Sequence, residues 1–223
     1  DSQLALSSSA RAFLISARFN YLPQSTLVVC SGTENAKNLA NDLMNFLSVE
    51  DVLYFPNKSH VAGSNIISED EQYFYKEITD ATKVEHAQRN VCLNALAENQ
   101  NKIIVTDASN LADKLPSKEA KHFQPIKLKA NEELSNFNNL EEFQEALVNM
   151  GYKYNSVADK PGTFSKRGGI INVFPAHLPY IVNLDFFGEY LEEIKKIIPA
   201  TGQMVENLEE IEVFPVLESG INK

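Results

Sequence analysis

Gly162 to Pro175, GTFSKRGGIINVFP, joins two strand-like runs through a glycine-bracketed basic turn, and the rest of the chain is read around it. Thr163-Phe164 and Ile170-Ile171-Asn172-Val173-Phe174 are rich in β-branched and aromatic residues, the types that suit a pleated, half-buried surface. Between them stand Ser165, Lys166, Arg167, Gly168 and Gly169. A glycine pair at such a point supplies positive φ or lets another backbone come close. Arg167 beside it presents a planar guanidinium fork suited to a carboxylate or phosphate. The plainer reading of the same residues is a hairpin corner carrying two solvated cations.

The 223 residues are 43% hydrophobic and 22% charged, an ordinary globular balance that fits one or two domains with a substantial core. Twenty basic residues against thirty acidic ones give a net charge of -10, which excludes a broad nucleic-acid surface. Gly151–Pro175 runs against that trend, with Lys153, Lys160, Lys166 and Arg167 opposed only by Asp159. That contrast marks a local patch for an acidic protein partner. Cys30 and Cys92 are the only cysteines, too few for a disulfide framework or a zinc site, so they read as small buried side chains in a reducing cytoplasm. His60, His86, His122 and His177 show no ligand spacing, and no metal or catalytic residue is expected. There is no apolar run of about 18 residues and no basic-then-apolar leader, so no membrane partner is expected. The chain opens on Asp1 and reads as an excerpt from something longer.

In chain order, the spacing predicts a helix over Ala10–Tyr21 that buries Ala10, Phe13, Leu14 and Ala17, capped by one of Ser7, Ser8 or Ser9 and ended by Pro23. Thr26–Cys30 reads as a strand of a parallel sheet covered on both faces. A helix over Glu34–Leu47, a strand at Val52–Phe55, a helix over Asp80–Glu98 burying Val84, Ala87, Val91 and Ala95, and a strand at Lys102–Asp107 follow. A short helix then runs to Leu115. Glu69-Asp70-Glu71 and Tyr73-Phe74-Tyr75 read as a solvated face or loop, not a metal site. This alternation predicts an open, mostly parallel α/β layer with helices. Composition shifts over Lys118–Asn139, placing a boundary near residues 125–130. Asn139 with Glu142 forms a capping-box start for a helix over Leu140–Met150 that buries Phe143 and Leu147 and stops at Gly151. Val182, Leu184 and Phe186 alternate with Asn183 and Asp185, and strand-like runs recur at Leu191–Ile198 and Ile211–Phe214. The second half is therefore expected to be a small α+β domain, an antiparallel sheet backed by one helix.

Gly151-Tyr152, Gly162-Thr163-Phe164, Arg167 through Pro175, Leu184-Asp185-Phe186-Phe187-Gly188-Glu189, Ile194, Thr201-Gly202-Gln203 and Val213-Phe214-Pro215 together resemble one family. It is the UvrB-like N-terminal module of bacterial transcription-repair coupling factors, Mfd, shared in part with the excision-repair protein UvrB. The resemblance spans about residues 140–218 strongly and is colinear upstream. It implies a degenerate ATPase-like subdomain over residues 1–127, a UvrA-interaction domain over 128–210, and a return segment toward the first subdomain from 211. UvrA is the partner it implies. RNA polymerase and DNA belong to parts of the parent protein beyond this chain, which the resemblance makes an ATP-dependent translocase. A nucleotide-dependent DNA-processing lobe of the UvrB kind is the alternative.

Two departures separate these readings. UvrB has a glycine-rich phosphate loop where this chain has Ala5–Ala12. The glycines are missing, Arg11 stands at the lysine position, and Ser9 and Ala12 complete a stretch in which Ala12 has no hydroxyl for magnesium. No ATP or other cofactor is therefore expected here. UvrB's aromatic hairpin tyrosines are also missing from Pro56–Asn65. The implied partner surface carries over unevenly. Arg167 matches, Lys153 stands where coupling factors often have arginine, and Tyr154 and Ser165 replace arginines of UvrB, with Lys166 beside them. Phe164 and Ile170 read equally as contacts or as core, and Asp185 and Glu189 as residues that solvate the sheet or orient Arg167.

Overall fold

The structure, a computed structural model, describes residues 7–58, 79–117, 120 and 123–217. Its contacts form two compact units, Asp1–Lys58 with Val91–Ala120 and Ser59–Asn90 with Lys121–Lys223. Glu69-Asp70-Glu71 and the Tyr73–Tyr75 run lie outside the described residues.

In the first unit, α1 (Ser8–Tyr21) is capped by Ser7, whose hydroxyl accepts from the Ala10 N–H at 3.4 Å. Its buried side holds Ala12, Ser16 and Phe19, not the expected Phe13 and Leu14, which are exposed. Both stripes satisfy a helical period. The core takes the one bearing Phe19, while Phe13 turns outward to meet Phe46 edge-on at 5.9 Å. After β1 (Thr26–Cys30) comes α2 (Thr33–Leu43), which buries Ala36, Leu39, Ala40 and Leu43 and ends a turn earlier than the spacing predicts. β2 (Val52–Phe55), α3 (Asp80–Ala97) and β3 (Ile103–Asp107) follow. The sheet is wholly parallel in the order β1-β3-β2, and β3, at its centre, is buried throughout. β1 departs from expectation. Leu27 is 58% and Val29 43% exposed, because β1 is an edge strand and the core gathers only on its Val28 and Cys30 side. Residues 108–112 form a 3-10 turn in place of the longer helix expected.

The division between units falls within α3. α3 up to Asn90 belongs to the second unit, and its buried side chains there are largely polar. Lys83 reaches Asp80 at 3.0 Å and the Pro161 carbonyl, and the Asn90 amide donates to the Pro215 and Leu217 carbonyls, each at 2.9 Å. Of the residues expected to be buried along α3, Ala87 and Ala95 are buried and Val84 and Val91 only half-buried.

The second unit continues with β4 (Ile126–Lys129), β5 (Glu132–Glu133), α4 (Leu140–Asn149), β6 (Lys153–Tyr154), β7 (Thr163–Arg167), β8 (Ile170–Phe174), β9 (Ile181–Phe187), β10 (Tyr190–Ile198), β11 (Gln203–Leu208) and β12 (Glu210–Val213). The main sheet runs β11-β10-β9-β8-β7-β6 with β5 on β10, and it is antiparallel except for the short parallel pair β6–β7. α4 buries Phe143 and Leu147 against Phe164, Ile171, Val173, Val182, Leu184, Phe186 and Ile194, the core this unit needs. Asn139 caps α4, accepting from the Glu142 N–H at 2.8 Å, but the reciprocal bond is shifted by one residue. The Glu142 carboxylate accepts from the Asn138 backbone and amide, each at 3.0 Å. β12 pairs with β4 inside this unit, whereas the sequence reading puts a boundary within β4 and sends residues from 211 back to the first subdomain.

Candidate protein-docking interface

The β7–β8 hairpin sets the geometry of the candidate site. Arg167 pairs with Ile170 across a two-residue turn in which the glycines divide the work. Gly168 sits at φ +63° with open space around it, and Gly169 lies so close to the Phe186 carbonyl that no side chain fits. The Gly169 carbonyl accepts from the Phe186 N–H at 3.0 Å, which locks the hairpin tip onto β9.

Strand alternation then sorts the expected contact residues onto two faces. Phe164 and Lys166 point toward α4. Phe164 is buried in the core, and Lys166 forms an ion pair with Glu141 on the first turn of α4 at 2.8 Å. The hydrogen bond from Lys166 holds the Glu141 carboxyl below its ordinary range. Tyr154, level with Phe164 in the parallel register, shares that side, and the two rings meet edge-on at 5.5 Å. With Gln144, Glu145, Val148 and Asn149 they line a shallow depression between β6 and α4.

Arg167, Ser165 and Thr163 point the other way, and Lys153, level with Thr163, joins them. Of these, Arg167 and Lys153 are exposed and Ser165 is buried, at 7%. The Arg167 guanidinium makes no hydrogen bond or ion pair with any described residue. Ser165 starts a polar row that crosses the sheet through Asn172, Asn183 and Lys195 to Asn207, in direct cross-strand register. The Asn183 amide donates to the Asn172 side-chain oxygen at 2.8 Å. Asp185 stands beyond Ile170 from Arg167, level with Glu193 and near Lys195, whose ammonium is held in its charged form by a hydrogen bond to Glu193. Asp185 thus does not orient Arg167. The structure brings Arg167 and Lys153 to one face and leaves Tyr154 and Lys166 on the other. The resemblance groups all four, because strand register is invisible until the partner strand is known.

The residues at the degenerate phosphate loop lie within α1. Ser9 and Arg11 are exposed on its first turn and Ala12 is wholly buried. At the ends of the parallel strands, Asp107 accepts from Thr33 at 2.9 Å and from the Ser109 N–H at 2.9 Å. Burial works against its charge, but these bonds outweigh it and hold the carboxyl below its ordinary range. Cys30 is only half-buried, and its thiol is pushed up by desolvation. No group of three or more metal-ligating side chains is found among the described residues.

A hairpin-led antiparallel sheet with one backing helix, and with Arg167 and Lys153 exposed on the side away from that helix, is the geometry onto which a family match falls. Residues 126–218 match the family described as the UvrB interaction domain. Over that span the chain is similar to this family. The matched span begins at β4 and takes in α4, the whole main sheet and β12. Across 208 residues, 93% of its length, the chain is 26% identical to the transcription-repair-coupling factors of Staphylococcus aureus strains bovine RF122 and MRSA252. It is equally similar to that of Staphylococcus haemolyticus strain JCSC1435. The match covers 16% of each of those proteins, so the chain spans about a sixth of the relatives it resembles. Among the described residues no helix is long and apolar enough to cross a membrane.

Proposed function

We propose that this chain is a non-catalytic docking module which recruits UvrA in nucleotide excision repair, as the front part of a transcription-repair coupling factor. Contacts with RNA polymerase and DNA, and any translocase activity, belong on this reading to other parts of such a protein. One observation carries the proposal. Arg167 is an exposed guanidinium with no partner among the described residues, fixed by a hairpin tip locked to β9, on the same face as Lys153. A fork held in this way suits a partner carboxylate, which it binds through charge-assisted hydrogen bonds. Nucleotide plays no part in this reading, since Arg11 stands in place of the phosphate-loop lysine and Ala12, wholly buried, has no hydroxyl to offer a magnesium ion.

The test is calorimetric titration of the chain into purified UvrA without ATP. Arg167→Ala is expected to weaken binding by roughly 2–5 kcal/mol, the range for truncating one partner of a buried charge pair. Lys160→Ala, on an exposed loop, is expected to change it by well under about 1 kcal/mol. Equal losses in the two variants would remove Arg167 as the anchor.

A further inference from the structure

We infer that Phe187 is the apolar anchor of the docking surface, inserted into the same acidic protein partner that receives Arg167. This rests on the docking reading above. Phe187 ends β9 with 77% of its surface exposed. A phenylalanine this exposed on a strand of an otherwise well-packed sheet is costly to leave in water, and exposed aromatic side chains are enriched where proteins meet.

Its position is set by register. Asp185 and Phe187 are two residues apart on β9 and so share a face, and Asp185 is level with Ile170, itself level with Arg167. Phe187 therefore lies on the open face with Arg167, diagonal to Ile170 and directly across from Tyr190 on β10. Ile170 and Tyr190 are each 38% exposed, so three large apolar side chains stand together beside an arginine without a described partner. The locked contact between Gly169 and Phe186 brings the turn of β7–β8 against the end of β9 and fixes this spacing.

Binding surfaces concentrate their energy in such a mixture: a central aromatic, an arginine, and a surround that excludes water. Behind the cluster the same side carries half-buried Asn172 and Lys195 and buried Asn183 in one row, so the exposed apolar area lies at the hairpin tips. The charge of the neighbouring face selects the occupant. Arg167 and Lys153 lie on the β7 flank, while Asp185, Glu193 and Glu133 lie toward β10 and β5, so the matching surface sets its carboxylate on the β7 side of an apolar recess. A second copy of this chain, at net charge -10, is disfavoured by its own repulsion.

The experiment is titration of purified UvrA with the whole 223-residue chain and its Phe187→Ala, Phe187→Leu and Arg167→Ala variants, with sedimentation velocity on each. Circular dichroism melts check folding, which an exposed side chain should not alter. The inference expects Phe187→Ala to bind about thirty-fold more weakly at unchanged stability, with Phe187→Leu recovering most of the loss. Loss of binding in Arg167→Ala with Phe187→Ala unaffected would overturn the anchor and leave the docking reading intact. No binding by the folded parent chain would overturn both. A dimer abolished by Phe187→Ala would assign the cluster to self-association and refute the inference.

Discussion

Gly169→Ala tests whether the hairpin tip is held by backbone contact or merely by its turn. An added Cβ would fall well inside van der Waals distance of the Phe186 carbonyl oxygen, and the blocking atom is backbone, which cannot rotate away. Relief requires the tip to lift from β9, which stretches or breaks the 3.0 Å bond from the Phe186 N–H to the Gly169 carbonyl. Leaving those polar groups poorly paired costs roughly 1–3 kcal/mol, and the forced displacement adds roughly 1–3 kcal/mol. A total loss of about 2–6 kcal/mol is expected. Gly168→Ala is the control, because its Cβ would meet open space and only the left-handed backbone is penalised. That penalty is roughly 1–2 kcal/mol. Urea unfolding followed by far-ultraviolet circular dichroism measures both, since the chain has no tryptophan. Partner binding should fall with Gly169→Ala as Arg167 and Phe187 lose their mutual spacing. The reasoning fails if Gly168→Ala proves as costly as Gly169→Ala, or if Gly169→Ala is neutral.

Tyr152 is buried, with its hydroxyl on the Phe214 carbonyl at 2.8 Å, so Tyr152→Phe should cost about 1–3 kcal/mol in urea unfolding by orphaning that carbonyl. Desolvation lowers the His177 pKa to about 4 despite a hydrogen bond to the Glu212 backbone, so the folded chain keeps it neutral while the unfolded chain protonates near 6.5. Its contribution to stability is full above about pH 6.5, declines as the pH falls toward about 4, and is level below that. Paired unfolding curves should therefore show a shallower acid loss for His177→Gln than for the parent. Asp107→Ala should destabilise the first unit by about 2–3 kcal/mol, since Thr33 and the Ser109 N–H lose a buried acceptor. Lys166→Ala should cost under about 1 kcal/mol, because its Glu141 partner is exposed.

Much of the second unit was legible because its signals are local. The Asn139 cap, the Phe143 and Leu147 stripe, the glycine turn and the alternation through Val182, Leu184 and Phe186 each appear within a few residues. β6 and β11 were missed for opposite reasons. Lys153-Tyr154 is too short to show a period, and β11 is exposed along nearly its whole length, so no buried face patterns it. In the first unit, the apolar run Leu27-Val28-Val29 suggested cover on both sides, yet edge position is a property of the sheet and not of the strand. The polar burial of Lys83, Arg89 and Asn90 along α3 was equally hidden, since hydrophobic periodicity looks only for apolar residues. At the site, Arg167 was legible as a residue type beside glycines. The separation of Lys166 from it, and the company of Phe187, required register.

The amide pair between β8 and β9 stands where the sheet is covered, Asn183 being 5% exposed, so it works inward. The Asn183 amide donates to Asn172 at one level of the β8–β9 register, and a one-residue slip would set an amide against the apolar core that holds Ile171, Val173, Val182 and Leu184. The pair is thus a pin, keeping in step the two strands whose ends carry the hairpin tip and Phe187.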